Sequence, residues 1–126
     1  LLKTLKKNAT VWYAADQAYD RRGTVIANFF GEPATTNTAT SQIAKISRAA
    51  VLPYFPVRLL NGKGYRYEIL PPLEDFPGED PQADAERLNR LLEEHIMVAP
   101  EQYYWVHRRF KPADPDSVDH YAELSP

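Results

Sequence analysis

Between residues 11 and 58 the apolar residues are divided into three short runs, 11–15, 24–31 and 51–57, each closed by polar residues or proline. Runs this short suit strands better than long helices. The first stops at Asp16-Gln17 and gives way to a loop that holds Tyr19, Asp20, Arg21 and Arg22. After Pro33, Ala39, Ile43, Ile46 and Ala50 recur at helical spacing across 34–50, with Thr35, Thr36 or Asn37 available as caps. The pattern predicts strand, charged loop, strand, helix, strand. A continuous apolar run such as 11–15 is typical of a strand buried on both faces, and open α/β sheets hold their sites at the carboxyl ends of such strands. Asp16 and Gln17 would then border a site, although a turn or cap role for Asp16 competes with this. Pro53 and Pro56 assign the third run to a sheet edge or a bulge, because each removes a ladder donor.

The flanking segments are simpler. Residues 1–8 place Leu1, Leu2 and Leu5 on one helical face among lysines, a pattern shared by a helix packed on a sheet and by a helix at a membrane surface. Asn61-Gly62-Lys63-Gly64 is a turn between runs 57–60 and 65–70, which predicts a hairpin. A proline-containing acidic loop, 73–79, precedes Asp80-Pro81, the N-cap and first position of a helix with Leu88, Leu91, Leu92, Ile96 and Ala99 on its buried stripe. His95 falls at the border of that stripe. Residues 101–110, EQYYWVHRRF, fit either a packed helix that closes the core through Tyr103, Trp105 or Val106, or a segment that turns Arg108 or Arg109 into a cleft.

Several chemistries are excluded by what is missing. There is no cysteine, hence no disulfide, thiolate nucleophile or Cys-based zinc site. No stretch approaches the roughly 18 apolar residues of a membrane span. No Gly-x-Ser-x-Gly or phosphate-cradling glycine motif occurs, and the three histidines lack metal-ligand spacing, so neither a metal nor a cofactor is expected. The net charge of −2 argues against nucleic acid, even though aromatics and arginines interleave in 101–110.

The strings AADQ, FFGEPATT, LPYFPVR, GKGYRYEILPP and above all PEQYYWVHRRFKP, running in order from about Val11 to Pro112, resemble the C-terminal half of the bacterial lipid A late acyltransferases, the lauroyl- and myristoyltransferases. The resemblance implies an α/β fold of glycerolipid acyltransferase type, with a largely parallel central sheet, flanking helices and an edge hairpin. Residues 1–112 would be the C-terminal part of the acyltransferase domain and 113–126 a loose tail. It also implies O-acyl transfer from an acyl carrier protein thioester to a lipid A precursor, at the cytoplasmic face of the inner membrane of a Gram-negative bacterium. Attachment to that membrane would come through an N-terminal part.

In that family, catalysis rests on a histidine followed after four residues by an acid. Here the corresponding positions after His95, His107 and His120 are Pro100, Pro112 and Ser125. The chain is therefore expected to be a C-terminal fragment, inactive alone, with no catalytic residue of its own. Asp16, Gln17, Arg48, Arg58, Arg108 and Arg109 are its expected substrate-contacting or cleft-orienting residues, and Arg21 and Arg22 are further candidates for phosphate contact. A non-catalytic relative that binds lipid or a partner, or an enzyme for another membrane acceptor, stays open as an alternative.

Overall fold

Phe30 and Gly31 turn the backbone through two consecutive left-handed conformations, with φ of 52° and 83°. Two positive φ values in a two-residue loop match the twist of an antiparallel hairpin. A computed structural model, which describes residues 1–17, 23–112, 116 and 118–124, shows that hairpin: β1 (Thr24–Phe29) pairs antiparallel with β2 (Glu32–Asn37). The register runs from Phe29 opposite Glu32 to Thr24 opposite Asn37. The expected helix over 34–50 therefore loses its first part to a strand. What remains is α2 (Ala39–Ser47), whose start is marked by Asn37 Oδ1 accepting from the Ala39 amide at 2.7 Å. Its buried side is made of Thr40, Ser41 and Ala44, while Ile46 points to solvent. The small residues won because they let α2 approach its neighbours closely.

A second antiparallel hairpin joins β3 (Tyr54–Arg58) to β4 (Tyr65–Ile69). It turns through a 3₁₀ segment, Leu60–Gly62, in which Asn61 and Gly62 have positive φ. The expected edge hairpin is thus present, with Pro56 accommodated in a two-stranded sheet that leaves room for its missing donor. A short helix, α1 (Leu2–Leu5), opens the chain.

The class is α/β, but the largely parallel central sheet is not found among the described residues. Both sheets are two-stranded and antiparallel. The reason is local: a parallel pair needs a crossover of a dozen or more residues, and the two-residue Phe30-Gly31 turn leaves β2 no choice but to reverse. Residues 11–15, expected as a buried strand, have no regular structure.

The long helix α3 (Pro81–Ile96) follows expectation at its start, where Asp80 accepts from the Gln82 amide at 2.9 Å and Pro81 occupies the first turn. It packs across β1. Phe29, Ala34 and Ile96 form the centre of the core, with Leu92, Tyr103 and Phe110 against them. Residues 101–110 are not a helix. A 3₁₀ turn at Pro100–Gln102 is followed by tight turns that bring Tyr103 and Phe110 to within 6.1 and 5.7 Å of the Phe29 ring. Within the region 113–126, Tyr121 accepts through its hydroxyl from the Phe110 amide at 3.0 Å, and a 3₁₀ turn spans Ala122–Leu124.

Phe29 has 0% exposure, whereas Ile26 on the same strand has 43%. Phe29→Ala is expected to cost about 3–5 kcal/mol, because it empties the centre of a small core. Ile26→Ala should change stability by less than about 0.5 kcal/mol. Urea unfolding midpoints of the two variants test the contrast.

Candidate functional site

A cavity of about 500 Å³ lies between α1, residues 11–16, α2, the β3 strand and α3. Most of its wall is aliphatic or aromatic, contributed by residues such as Ile43, Val51, Leu88 and Leu92. One region is polar, and there Asp16, Asn89, Thr36, Tyr103 and Arg109 meet.

Arg109 organises this polar region. Its side chain is only 4% exposed. Nη1 donates to the Thr35 carbonyl, and Nη2 donates to Thr36 Oγ1 and Asn89 Oδ1, each at 3.1 Å. The guanidinium lies over the Phe29 ring, 4.9 Å from its centroid. Asn89 completes the network by donating to the Asn28 carbonyl at 2.8 Å and to Thr36 Oγ1 at 3.1 Å. Thr36 in turn donates to the Ala34 carbonyl. Burying a guanidinium is costly unless acceptors and compensating charge surround it. One backbone carbonyl, one side-chain amide and one hydroxyl supply the acceptors for Nη1 and Nη2.

The compensating charge is Asp16. Its carboxylate acts on Tyr13, Tyr103, His107 and Arg109 alike. Burial first, then Asp16, pushes the Tyr103 phenol up to about 12, with Arg109 opposing. Burial likewise raises Tyr13, and Asp16 adds to it. For His107 burial lowers the pKa and Asp16 resists, while Lys111 and Arg109 act with burial. Arg109 is lowered by burial and held up by Tyr103 and Asp16. Burial thus moves the Tyr13 and Tyr103 phenols and the His107 imidazole towards their neutral forms, beside the Arg109 guanidinium. The cluster can orient a polar group at the end of an apolar cavity.

Of the six expected site residues, Asp16 and Arg109 are brought together on the cavity wall. Gln17 is half-buried beside Asp16. Arg48 is exposed at the end of α2, in a left-handed conformation with its amide donating to the Ala44 carbonyl. Arg58 is exposed at the end of β3, with its backbone held by Gln102: its amide donates to Oε1 at 2.7 Å and its carbonyl accepts from Nε2 at 3.0 Å. Arg108 is exposed, its guanidinium 5.5 Å above the Tyr121 ring. Arg21 and Arg22 lie outside the described residues. His95 stays at the helix border, with Nδ1 2.8 Å from the Leu91 carbonyl and its ring stacked on Phe55 at 3.8 Å. Among the described residues no three His, Asp or Glu side chains are grouped to hold a metal ion.

Sequence reasoning missed Asn89 and Thr36. Asn89 carried a readable signal: it stands four residues after Ala85 and seven before Ile96, on the buried face of α3, where an amide needs partners. Thr36 carried none, since its role depends on β2 being a strand.

Residues 1–112 match the model of a family described as bacterial lipid A biosynthesis acyltransferase. The chain is 44% identical over 112 residues to the lipid A biosynthesis lauroyltransferase of Escherichia coli K12, covering 88% of this chain and 37% of that one. It is 43% identical over 112 residues to the palmitoleoyltransferase of the same organism, covering 88% and 36%. To the E. coli myristoyltransferase it is 27% identical over 122 residues, covering 95% and 37%. The chain thus spans a little over a third of the length of these relatives.

Asn89→Leu removes an acceptor from Arg109 and a donor from Thr36, and is expected to destabilise the chain by about 1–3 kcal/mol; thermal unfolding measures it. A raised Tyr103 pKa favours the folded state while the phenol is neutral. That contribution is complete below pH 10 and is lost as pH rises towards about 12. Alkaline unfolding should therefore begin within this window, and Tyr103→Phe should flatten the pH dependence there; an unchanged profile would contradict the assignment.

Proposed function

The chain belongs to the bacterial lipid A biosynthesis acyltransferase family, and from that premise we propose that it is the C-terminal portion of an O-acyltransferase. The whole enzyme moves a fatty acyl chain from an acyl carrier protein thioester to a hydroxyl of a lipid A precursor, at the cytoplasmic face of the inner membrane. One observation carries this reading within the chain: an apolar cavity of about 500 Å³ bordered by the Asp16–Tyr103–Arg109 cluster. A cavity of this size and character suits an acyl chain. The parallel sheet expected from the resemblance belongs, on this reading, to the whole enzyme.

In acyl transfer the acceptor hydroxyl oxygen attacks the thioester carbonyl, a base takes the hydroxyl proton, and the carbon–sulfur bond breaks to release the thiol. None of His95, His107 or His120 is followed by an acid at the family's spacing, so the base comes from elsewhere in the enzyme and residues 1–126 alone transfer no acyl group. Asp16, whose charge acts on Arg109 and Tyr103, orients the polar end of the substrate, with Gln17 beside it. Arg58 ends the strand whose residues 54–57 line the cavity, which places it to receive a headgroup phosphate. Arg48 and Arg108 are exposed outside the cavity and serve, at most, a peripheral part of the acceptor.

A chimera tests this. Residues 1–112 replace the matching segment of the E. coli lauroyltransferase, and lauroyl transfer to a lipid A precursor is measured. The chimera should be active, and Asp16→Asn within it should lower kcat about 10²-fold through lost positioning. A folded but inactive chimera that still binds lipid would favour a non-catalytic, lipid-binding relative. Full activity in Asp16→Asn would remove Asp16 from the site.

A further inference from the structure

The two hairpins have four strand edges, and side chains occupy three of them. On β1 the Ile26 and Asn28 carbonyls, two residues apart and therefore on one side of the strand, accept from Gln82 Nε2 at 2.6 Å and Asn89 Nδ2 at 2.8 Å. On β2 the Thr35 carbonyl accepts from Arg109, and Pro33 has no N–H to offer. On β3 the Gln102 amide takes the place of a neighbouring strand: it accepts from the Arg58 N–H at 2.7 Å and donates to the Arg58 carbonyl at 3.0 Å. Pro56 removes a further donor from that edge.

The edge of β4 is bare. The Leu59 amide donates to the Gly64 carbonyl and the Leu70 amide to the Pro53 carbonyl, so the ladder begins and ends on hydrogen-bonded pairs. Alternation then turns the backbone groups of Tyr65, Tyr67 and Ile69 away from β3. Among the described residues no hydrogen bond reaches these groups. Their side chains are open as well, Tyr65 at 58%, Tyr67 at 59% and Ile69 at 64%. An unpaired edge is a template for another strand, and a two-stranded hairpin gains stability from further strands.

We infer that β4 pairs with β4 of a second copy of this chain, antiparallel and centred on Tyr67, to make one four-stranded sheet. The strand's own residues select this register. Outward backbone groups must meet outward groups, so the two-fold axis passes through a residue position and not between two. Centred on Arg66, the pairing sets arginine against arginine; centred on Glu68, it sets carboxylate against carboxylate. Centred on Tyr67, it places Arg66 opposite the partner's Glu68 and Glu68 opposite the partner's Arg66. These are non-hydrogen-bonded positions, where side chains approach most closely. Tyr67 then exchanges both backbone bonds with the partner's Tyr67, and Tyr65 does so with the partner's Ile69. Arg66 is exposed and in no ion pair among the described residues, and Glu68 lies 4.0 Å from His95 Nε2. Tyr54 already stacks on Tyr67 with centroids 5.6 Å apart, and the pairing lengthens that row of rings across the axis. Opposite charges at self-complementary positions are what a two-fold contact requires. The pairing needs neither acyl donor nor acceptor, so it stands or falls apart from acyl transfer.

Sedimentation equilibrium of the 126-residue chain tests this, with circular dichroism to verify folding. A monomer–dimer equilibrium is expected. Arg66→Glu and Glu68→Arg should each raise the dimer dissociation constant about tenfold, because each opposes like charges twice. An equimolar mixture of the two variants should recover the wild-type constant, since every cross-strand pair is then of opposite charge. Tyr67→Pro deletes an outward N–H that the β3 ladder does not use, and it should leave a folded monomer. A wild-type chain that stays monomeric at millimolar concentration overturns the proposal and leaves the edge to a strand elsewhere in the whole enzyme. A dimer that survives Tyr67→Pro, that neither charge reversal weakens, or that the mixture fails to restore overturns it as well.

Discussion

A buried guanidinium holds the two halves of the core together. Arg109 arrives from an irregular segment near the end of the matched region, yet its donors reach β2 through Thr35 and Thr36 and α3 through Asn89. Its flat face covers Phe29, the largest fully buried side chain. A point charge such as lysine could not span three acceptors on two elements while stacking on a ring. The cost of desolvating the charge is offset by those acceptors and by Asp16, so the network is stable only when complete. Asp16 sits on a stretch without regular structure, and it is the charge at the far side of the cluster that gives that stretch a reason to stay in place.

The same network gives the cavity a direction. The charged groups of the wall, Asp16 and Arg109, lie near Tyr103, while most of the remaining lining is apolar. Trp12, Leu52 and Tyr54 line the cavity and are open to solvent as well. The cavity thus offers an apolar interior with one polar region. An apolar cavity of this kind agrees with membership of a lipid A acyltransferase family.

Different parts of this arrangement were legible in the sequence to different degrees. Asp80-Pro81 announced α3 because an N-cap and a first-turn proline are local signals that act within a few residues. Asn61 to Gly64 announced the second hairpin for the same reason. FFGEP was misread: Pro33 and the threonines after it suit a helix start, but Phe30 and Gly31 in left-handed conformations close a hairpin first, and β2 takes the residues assigned to the helix. Residues 101–110 have the apolar spacing of a helix, yet Tyr103, Phe110 and Arg109 must all reach Phe29, which turns satisfy better than one helical face.

The residues by themselves determined the family, the hairpin tip, the long helix and the missing histidine–acid spacing, since each rests on contiguous residues. They also put forward Asp16, Gln17, Arg48, Arg58, Arg108 and Arg109 as site candidates, without separating Asp16 and Arg109 from the rest. Tertiary structure alone decided that these two share one cluster, that Asn89 and Thr36 hold it, and that Arg48, Arg58 and Arg108 remain outside the cavity. The physical reason is range. Caps, turns and motifs act over a few positions, whereas the partners of a buried charge are set by which distant elements pack around it, and Arg109 lies 73 residues from Thr36.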